Sequence, residues 1–255
     1  MRVILPLAMI ALILIGWEAI VAFKAIPPFI LPAPSLIART LLNDANVLMP
    51  SLGETLLTTL EGFVLAAIGG VGLGIVFSQS RAIEHSFYPL AVILQVTPVV
   101  AIAPLLLIYL PQHVAVLVCA WIVAFFPVLA NTTLGLGSVD RNLIDLFRLY
   151  RTSRWQQLRY LRFPSAMPYI LGGLRIAGGL SLIGAVVAEI AAGSAGAGSG
   201  LAFRIVEAGY RLNIPRMFAA LVLLAMAGVA IYFLLAGLSN LMLRRWHQST
   251  VTVQP

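Results

Sequence analysis

Two groups of side chains in this sequence have types and spacing that could do chemistry. The first is Glu189, a single carboxylate within an apolar run, where an ionisable group normally faces water or the interior of a helix bundle. The second is a set of six arginines between residues 141 and 162, interleaved with large apolar side chains. Such a segment binds anionic lipid headgroups or a groove on a partner protein. No nucleophile with its base, metal cluster or acid pair stands in the apolar runs, which disfavours an intramembrane enzyme.

The elements that must position these groups are membrane helices. Of the 255 residues 61% are hydrophobic and only 10% are charged, too few charges for the surface of a water-soluble domain. Six apolar runs are long enough to cross a bilayer: 4–23, 57–78, 87–110, 113–134, 167–192 and 216–243. The first is too long for a secretory signal and is interpreted as a retained span. Pro98 and Pro104 predict that the third helix is kinked or broken.

The distribution of basic residues predicts the orientation. One side of the membrane would carry ten arginines, including the six between 141 and 162, and the other side five Lys or Arg residues. Because basic residues concentrate in the cytoplasm, both termini and the loop 137–166 are expected inside. The same rule accounts for the net charge of +7 without a nucleic-acid partner. Arg175, two turns into the fifth run, lies within snorkelling distance of the inner interface.

The loop 137–166 is patterned as two short helices. Apolar residues recur at helical spacing from Leu143 to Tyr150, which predicts an amphipathic helix. Ser153 and Gln156 form a capping box that predicts a second helix, and Pro164 is expected to end it. The pattern fits a helix pair lying on anionic lipid and a docking element for a cytosolic partner equally well.

The stretch "DLFRLYRTSRWQQLRYLRFPSAMPYILGGLRIAGG" resembles the EAA-type loop of bacterial ABC importer permeases. In that pattern the acidic position, the glycine, the isoleucine, the leucine and the proline fall on Asp145, Arg151, Leu161, Phe163 and Pro164. The paired alanines are replaced by Leu146 and Phe147. The stretches "GWEAI", "IPPFILPAPS", "TPVVAIAPLLLIYLP" and "AVVAEIAAGSAGAGSGL" extend the likeness to the nitrate/sulfonate/taurine subfamily over nearly the whole chain.

The resemblance implies a non-catalytic permease subunit in the bacterial inner membrane, all-α with about six transmembrane helices. It implies one permease domain over 1–255, a core importer fold over 57–243 and a cytoplasmic coupling loop over 137–166. The expected partners are a cytosolic ATP-binding subunit, a periplasmic solute-binding protein, a second permease copy and membrane lipid. No cofactor or metal is expected in this chain, since ATP binds to the partner. The solute would be nitrate, a sulfonate, taurine or a pyrimidine precursor of thiamine.

The coupling residues that the resemblance implies are Asp145, Leu146, Phe147, Tyr150, Arg151, Leu161, Phe163 and Pro164. Glu189 and Ser181 on the fifth run are candidates for a pore or gate, with structural hydrogen bonding as the alternative. The small residues around them serve either helix packing or solute contact. Residues 193–200 form either a re-entrant or docking loop or an ordinary connection. A self-sufficient secondary transporter or channel is the rival function, with Glu189 its one candidate relay.

Arg151 raises a separate question because it occupies a glycine position between two helices. Glycine there normally supplies a left-handed backbone conformation, which costs other residues about 1 kcal/mol. Either Arg151 adopts that conformation, or the turn has a different shape.

Overall fold

The computed structural model describes residues 4–193 and 199–244, and their regular structure is helical. In chain order the helices are α1 Ile4–Phe23, α2 Pro34–Asn43, α3 Ala45–Gln79, α4 Arg81–Val96, α5 Val99–Tyr109, α6 Gln112–Gly137, α7 Arg141–Leu149, α8 Arg154–Gln157, α9 Phe163–Ala192, α10 Leu201–Tyr210 and α11 Ile214–Leu243. A π-helical turn, Leu158–Arg162, joins α8 to α9. Among the described residues five helices are long and apolar enough to cross a membrane, and the bent pair α4–α5 supplies a sixth candidate.

The predicted apolar runs all fall on helices. The first coincides with α1, whereas the second covers only part of α3, which has 35 residues. The predicted run was shorter than α3 because hydropathy detects only the apolar part of a helix. Polar residues toward its ends, such as Glu54 and Gln79, fall outside that part. The short helices α2 and α10, of 10 residues each, were not predicted.

The third crossing is broken, as predicted. Helices α4 and α5 meet at an angle of 96° across a break at Thr97 and Pro98. Thr97 has extended backbone angles, φ −71° and ψ 123°, which suit a residue that precedes proline. Pro98 lacks the N–H that would continue the hydrogen bonding of α4. Pro104, by contrast, lies inside α5 without ending it.

Helices α3 and α6 run parallel to each other. A Cβ built on Gly62 would lie 2.7 Å from the Cβ of Ala120, and one on Gly74 would lie 2.7 Å from Cγ2 of Thr132. The contacts advance in the same direction along both helices. Because α3 and α6 point the same way, residues 80–111 must run back from the end of α3 to the start of α6, along the full length over which the two helices are in contact.

The pair α4–α5 makes that return along α6. Ala91 of α4 packs against Leu129, toward the end of α6. Ala103 of α5 packs against Val116 and Cys119, near the start of α6. The pair is accordingly a broken span rather than a re-entrant loop, and the described chain has six candidate crossings.

Helices α6 and α9 form the tightest contact, and they are antiparallel. A Cβ built on Gly184 would lie 2.7 Å from the carbonyl oxygen of Cys119, while one on Gly135 would lie 3.0 Å from Cα of Ala166. Side chains at these positions would collide with backbone, so glycine is what permits the approach. The predicted helix packing by small residues is present here.

The described chain divides by its internal contacts into two compact units. One contains the segments up to Thr55 and from Gly193 to Ala227, and the other contains Leu56–Ala192 and the chain from Gly228 onward. In the first unit, Glu18 accepts hydrogen bonds from the backbone N and Oγ of Ser35, at 3.0 and 2.7 Å. Helices α4 to α9 lie in the second unit. The single permease domain over 1–255 and the core over 57–243 stay predictions, because contact clustering does not measure independent folding.

Candidate functional site

Helix α7 exposes an apolar stripe. Its N-terminus is capped by Asp140, whose side chain accepts a hydrogen bond from the backbone N of Asn142 at 2.8 Å, and none of its residues is buried. Leu143, Leu146 and the following Tyr150 share one face, and Tyr150 is 76% exposed. A surface helix normally packs its apolar stripe, so this stripe is available to another molecule.

The acidic position of the loop lies beside the stripe. The carboxylate of Asp145 is 3.2 Å from Nη1 of Arg148, and both side chains are largely exposed. Phe147 is half-buried, whereas Leu146 is 44% exposed. The structure thus places three predicted coupling residues, Asp145, Leu146 and Phe147, on one short helix.

Arg151 adopts the left-handed conformation, with φ +50°. Its backbone N donates to the carbonyl of Arg148 at 2.9 Å, and the N of Thr152 donates to the carbonyl of Phe147 at 3.2 Å. These two bonds form a Schellman C-cap, the motif that usually has glycine at this position. Of the two alternatives raised by the sequence, strain at Arg151 is the one observed, at a cost of about 1–2 kcal/mol.

The capping box that begins the second loop helix is confirmed. The backbone N of Ser153 donates to Oε1 of Gln156 at 2.8 Å, and the N of Gln156 donates to Oγ of Ser153 at 3.2 Å. Leu158 and Leu161 are buried, while Trp155 is 66% exposed. Because the two leucines anchor the loop and the two caps fix its turn, α7 is held at a defined angle.

The prediction that Pro164 ends the second helix was wrong. The helical path is continuous from α8 through the π turn into α9, with Pro164 and Pro168 inside it. In the π turn the N of Phe163 donates to the carbonyl of Leu158, five residues back. That wider turn accommodates a residue without an N–H, and Oγ of Ser165 donates to the carbonyl of Leu161 at 2.8 Å. The loop therefore joins the membrane helix rigidly.

The loop is also tied to the end of α3. Nη1 of Arg162 donates to the carbonyl of Ser78 at 3.1 Å. A polar cavity of about 690 Å³ lies behind α7, and its lining includes Arg141, Asp145 and Arg148. The bond from Arg162 thus ties the π turn to α3, and α7 itself is left without close packing on the side of the cavity.

The two pore candidates of α9 are buried. Ser181 is fully buried, and its Oγ donates to the carbonyl of Thr59 at 2.8 Å. Glu189 is 5% exposed. The hydroxyl of Ser181 thus joins α9 to α3, and a pore or gate role for either residue stays a prediction. Of the predicted loop 193–200, residues 194–198 lie outside the described part of the chain.

A charged cluster in the other unit was missed by sequence reasoning. Glu207 of α10 pairs with Arg204 at 2.8 Å and with Arg211 at 2.9 Å, and Nε of Arg204 donates to Oγ of Ser51 at 3.0 Å. The hydrogen bond from Arg204 holds the pKa of the Glu207 carboxyl below its ordinary value. Arginines three residues before and four residues after Glu207 were the available signal.

The fold and the loop together define a class of protein. The described residues have six candidate crossings, of which α3, α6 and α9 approach one another closely at glycines, and an apolar helix is exposed between α6 and α9. These are features of a polytopic membrane protein with a surface for another molecule. Residues 62–248 match the family model described as "Binding-protein-dependent transport system inner membrane component".

Similar proteins agree with this class. The chain is 35% identical over 242 residues to the riboflavin transport system permease protein RibX of Chloroflexus aurantiacus, covering 93% of this chain and 88% of that one. It is 29% identical to the formylaminopyrimidine transport permease protein ThiX of Halalkalibacterium halodurans, over 93% and 94% of the two chains. It is also 29% identical to the nitrate import permease protein NrtB of a Synechocystis strain, over 94% and 89%.

The fold matches a solved transporter. Inward-facing structures of the MetNI methionine ABC transporter include a chain that superposes with a TM-score of 0.66 at 18% identity, covering 79% of this chain and 97% of that chain. The chain belongs to the family of binding-protein-dependent transport system inner membrane components. It is the membrane permease subunit of an ATP-binding-cassette importer, as the resemblance implied.

Proposed function

We propose that α7 transmits the motion of a cytosolic ATP-binding subunit to the solute path of this permease. The observation that carries the proposal is the exposed apolar stripe of α7, whose C-terminal joint to the second loop helix is fixed by two adjacent caps. ATP hydrolysis takes place in the partner, and this chain supplies the path across the inner membrane. The predicted coupling set divides between two roles. Asp145, Leu146, Phe147, Tyr150 and Arg151 would contact the partner, whereas the buried Leu161, with Phe163 and Pro164, would join the loop to α9.

The rigid joints favour a protein partner over lipid. A helix that only rests on headgroups needs an apolar face and basic residues, but it needs no fixed angle to the next helix. Here the Schellman cap at Arg151 is followed directly by the capping box at Ser153, and the π turn then runs into α9. A displacement of α7 is therefore passed to a membrane-spanning helix, as a switch between inward-open and outward-open states requires.

The orientation follows from the basic residues. With the loop 137–166 and both termini in the cytoplasm, α10 lies on the periplasmic side, where a solute-binding protein would dock. The exposed Arg211 and the cluster around Glu207 supply charges for that contact.

A second copy of the permease completes the path. Ile176, Ile183 and Ile190 of α9 are exposed at seven-residue intervals, and Gly172 and Gly179 leave open space beside them. A stripe of this kind allows another helix to approach closely. It supports pairing of two copies, with lipid around the remaining surface.

The solute is a small organic or inorganic anion, such as nitrate, a sulfonate or taurine, or a pyrimidine precursor of thiamine. Two of the similar permeases support this range, since they are named for nitrate and for formylaminopyrimidine, whereas the one named for riboflavin lies outside it. Selection among these solutes is assigned to the binding protein. The proposed solute range is tested by measuring which solute is bound by the binding protein encoded beside this chain.

Co-purification tests the role of α7. An ATP-binding subunit encoded beside this chain should co-purify with the wild type and be lost with Leu146→Glu. Tyr160→Glu is the matched control, since Tyr160 is 65% exposed on the same loop but outside the coupling set. Retention of the ATPase by Leu146→Glu, or equal loss with both variants, would overturn the proposal.

A further inference from the structure

The break between α4 and α5 lies near mid-depth in its span. Thr97 and Val99, on either side of Pro98, line a cavity together with Ile122 and Pro127 of α6. Helix α6 extends from Gln112 to Gly137, so these neighbours lie near its centre. The non-helical backbone at Thr97 and Pro98 is therefore placed where the bilayer would be driest.

Backbone without helical hydrogen bonds is excluded from lipid. Because Pro98 has no N–H, the final carbonyls of α4 lack the donors that a continuing helix would supply. The carbonyl of Ile93 is the last to keep its helical donor: the backbone N of Thr97 donates to it at 3.1 Å, and Oγ1 of Thr97 donates to it as well, at 2.6 Å. The next carbonyl, that of Leu94, loses the donor that residue 98 would supply in a continuing helix. A break at this depth persists only where it is covered by protein or lines a water-filled cavity.

The cavity at the break has polar groups of its own. It has a volume of about 220 Å³, and its lining includes Gln95 and Thr97 together with the ring of Phe126 and Leu180 of α9. Its lining, among the described residues, contains no charged side chain. Gln95 is exposed, although an amide in the middle of an apolar span avoids lipid.

On the basis of the proposed function, we propose that this break lines the solute path, with Gln95 and Thr97 as its polar groups. The amide of Gln95 both donates and accepts hydrogen bonds, and Thr97 presents a hydroxyl oxygen. Such a wall passes a hydrophilic solute through hydrogen bonds rather than through a fixed charge. The pore residues predicted on α9, Ser181 and Glu189, are not needed for this surface.

Cysteine reactivity tests the proposal without knowledge of the solute. The only cysteine of the chain, Cys119, is fully buried, so the wild type serves as the blank. Gln95→Cys is compared with Ile93→Cys, which lies on the opposite face of α4 and is 59% exposed. Each variant is reconstituted in nanodiscs with the ATP-binding subunit and treated with anionic and cationic methanethiosulfonate reagents.

We expect Gln95→Cys to react at least about tenfold faster than Ile93→Cys, because a thiol in lipid does not ionise. Both reagents should react with it, since no charged side chain lines the cavity. Equal rates for the two variants would overturn the proposal. Co-purification of the ATP-binding subunit is measured on the same samples, so coupling through α7 is judged separately.

Discussion

Helices α7 and α9 both carry an apolar face, but only that of α9 is packed against another helix of the chain. On α9, Gly184 and Ala166 lie against α6 of the same chain, and Ala166 faces Gly135 there. On α7, Leu143, Leu146 and Tyr150 remain exposed. The difference separates two kinds of residue: the small residues of α9 allow close packing within the chain, whereas the apolar residues of α7 remain available for the partner contact proposed above.

Gly184→Val should have the largest effect on stability. The new Cβ would lie 2.7 Å from a backbone oxygen, which cannot move as a side chain can, so we expect a loss of about 3 kcal/mol or more. Thermal melting followed by size-exclusion chromatography measures it. Gly179→Val is the control, because a Cβ there meets nothing within 4 Å. Equal melting temperatures for the two variants would mean that the α6–α9 contact is not tight.

Phe147→Glu should reduce ATP-driven uptake strongly and lower the melting temperature only slightly, since the side chain is half-buried within the chain itself. Burying a phenylalanine in a partner contributes about 1.5–3 kcal/mol, which corresponds to roughly a tenfold to hundredfold loss. Uptake into vesicles containing the partner subunits measures the effect, beside ATP hydrolysis in the same vesicles. Normal uptake with this variant would remove α7 from the coupling route.

Arg151→Gly should stabilise the loop by about 1 kcal/mol, because glycine adopts a positive φ without strain. Arg148→Gly should have the opposite sign, since residue 148 lies within α7 and loses helix propensity of about 1 kcal/mol. Hydrogen exchange of the Thr152 amide, which closes the C-cap, reports both changes. The same sign for both substitutions would show that the cap at 151 is not strained.

Asp145→Asn should change stability least. The pair with Arg148 is exposed, with side-chain exposures of 66% and 72%, so its loss costs about 0.5 kcal/mol or less. Reduced uptake with unchanged melting would assign the carboxylate to the partner contact. A melting shift that salt abolishes would instead assign it to the helix itself.

Much of the loop could be predicted because its signals are local. The capping box at Ser153 depends on backbone within a few residues and was found where the pattern indicated. At Arg151 the pattern located an unusual turn but left two shapes open, and the structure shows the one with a positive φ. Pro164 was misjudged because its effect depends on the hydrogen-bond register of the preceding turn. A single π turn changes that register, and nothing in the residue types specified it.

The broken third span was also predictable only in part. Pro98 predicted an interruption, but only contacts with α6 establish that the interrupted segment crosses the whole membrane. The charges around Glu207 were visible as a spacing, yet the bond from Arg204 to Ser51 joins residues 153 positions apart. Long-range pairs of this kind leave no local pattern.

The sequence by itself determined that this chain lies in a membrane, where its apolar runs cross, and which loop carries a capped amphipathic helix. Those properties follow from transfer free energies and short-range hydrogen bonding, which are functions of neighbouring residues. The tertiary structure alone decided that α3 and α6 run parallel, that Gly184 meets backbone while Gly179 meets open space, and that Gln95 lines a cavity. These depend on the register between helices distant in sequence, which close packing fixes only when the whole chain is assembled.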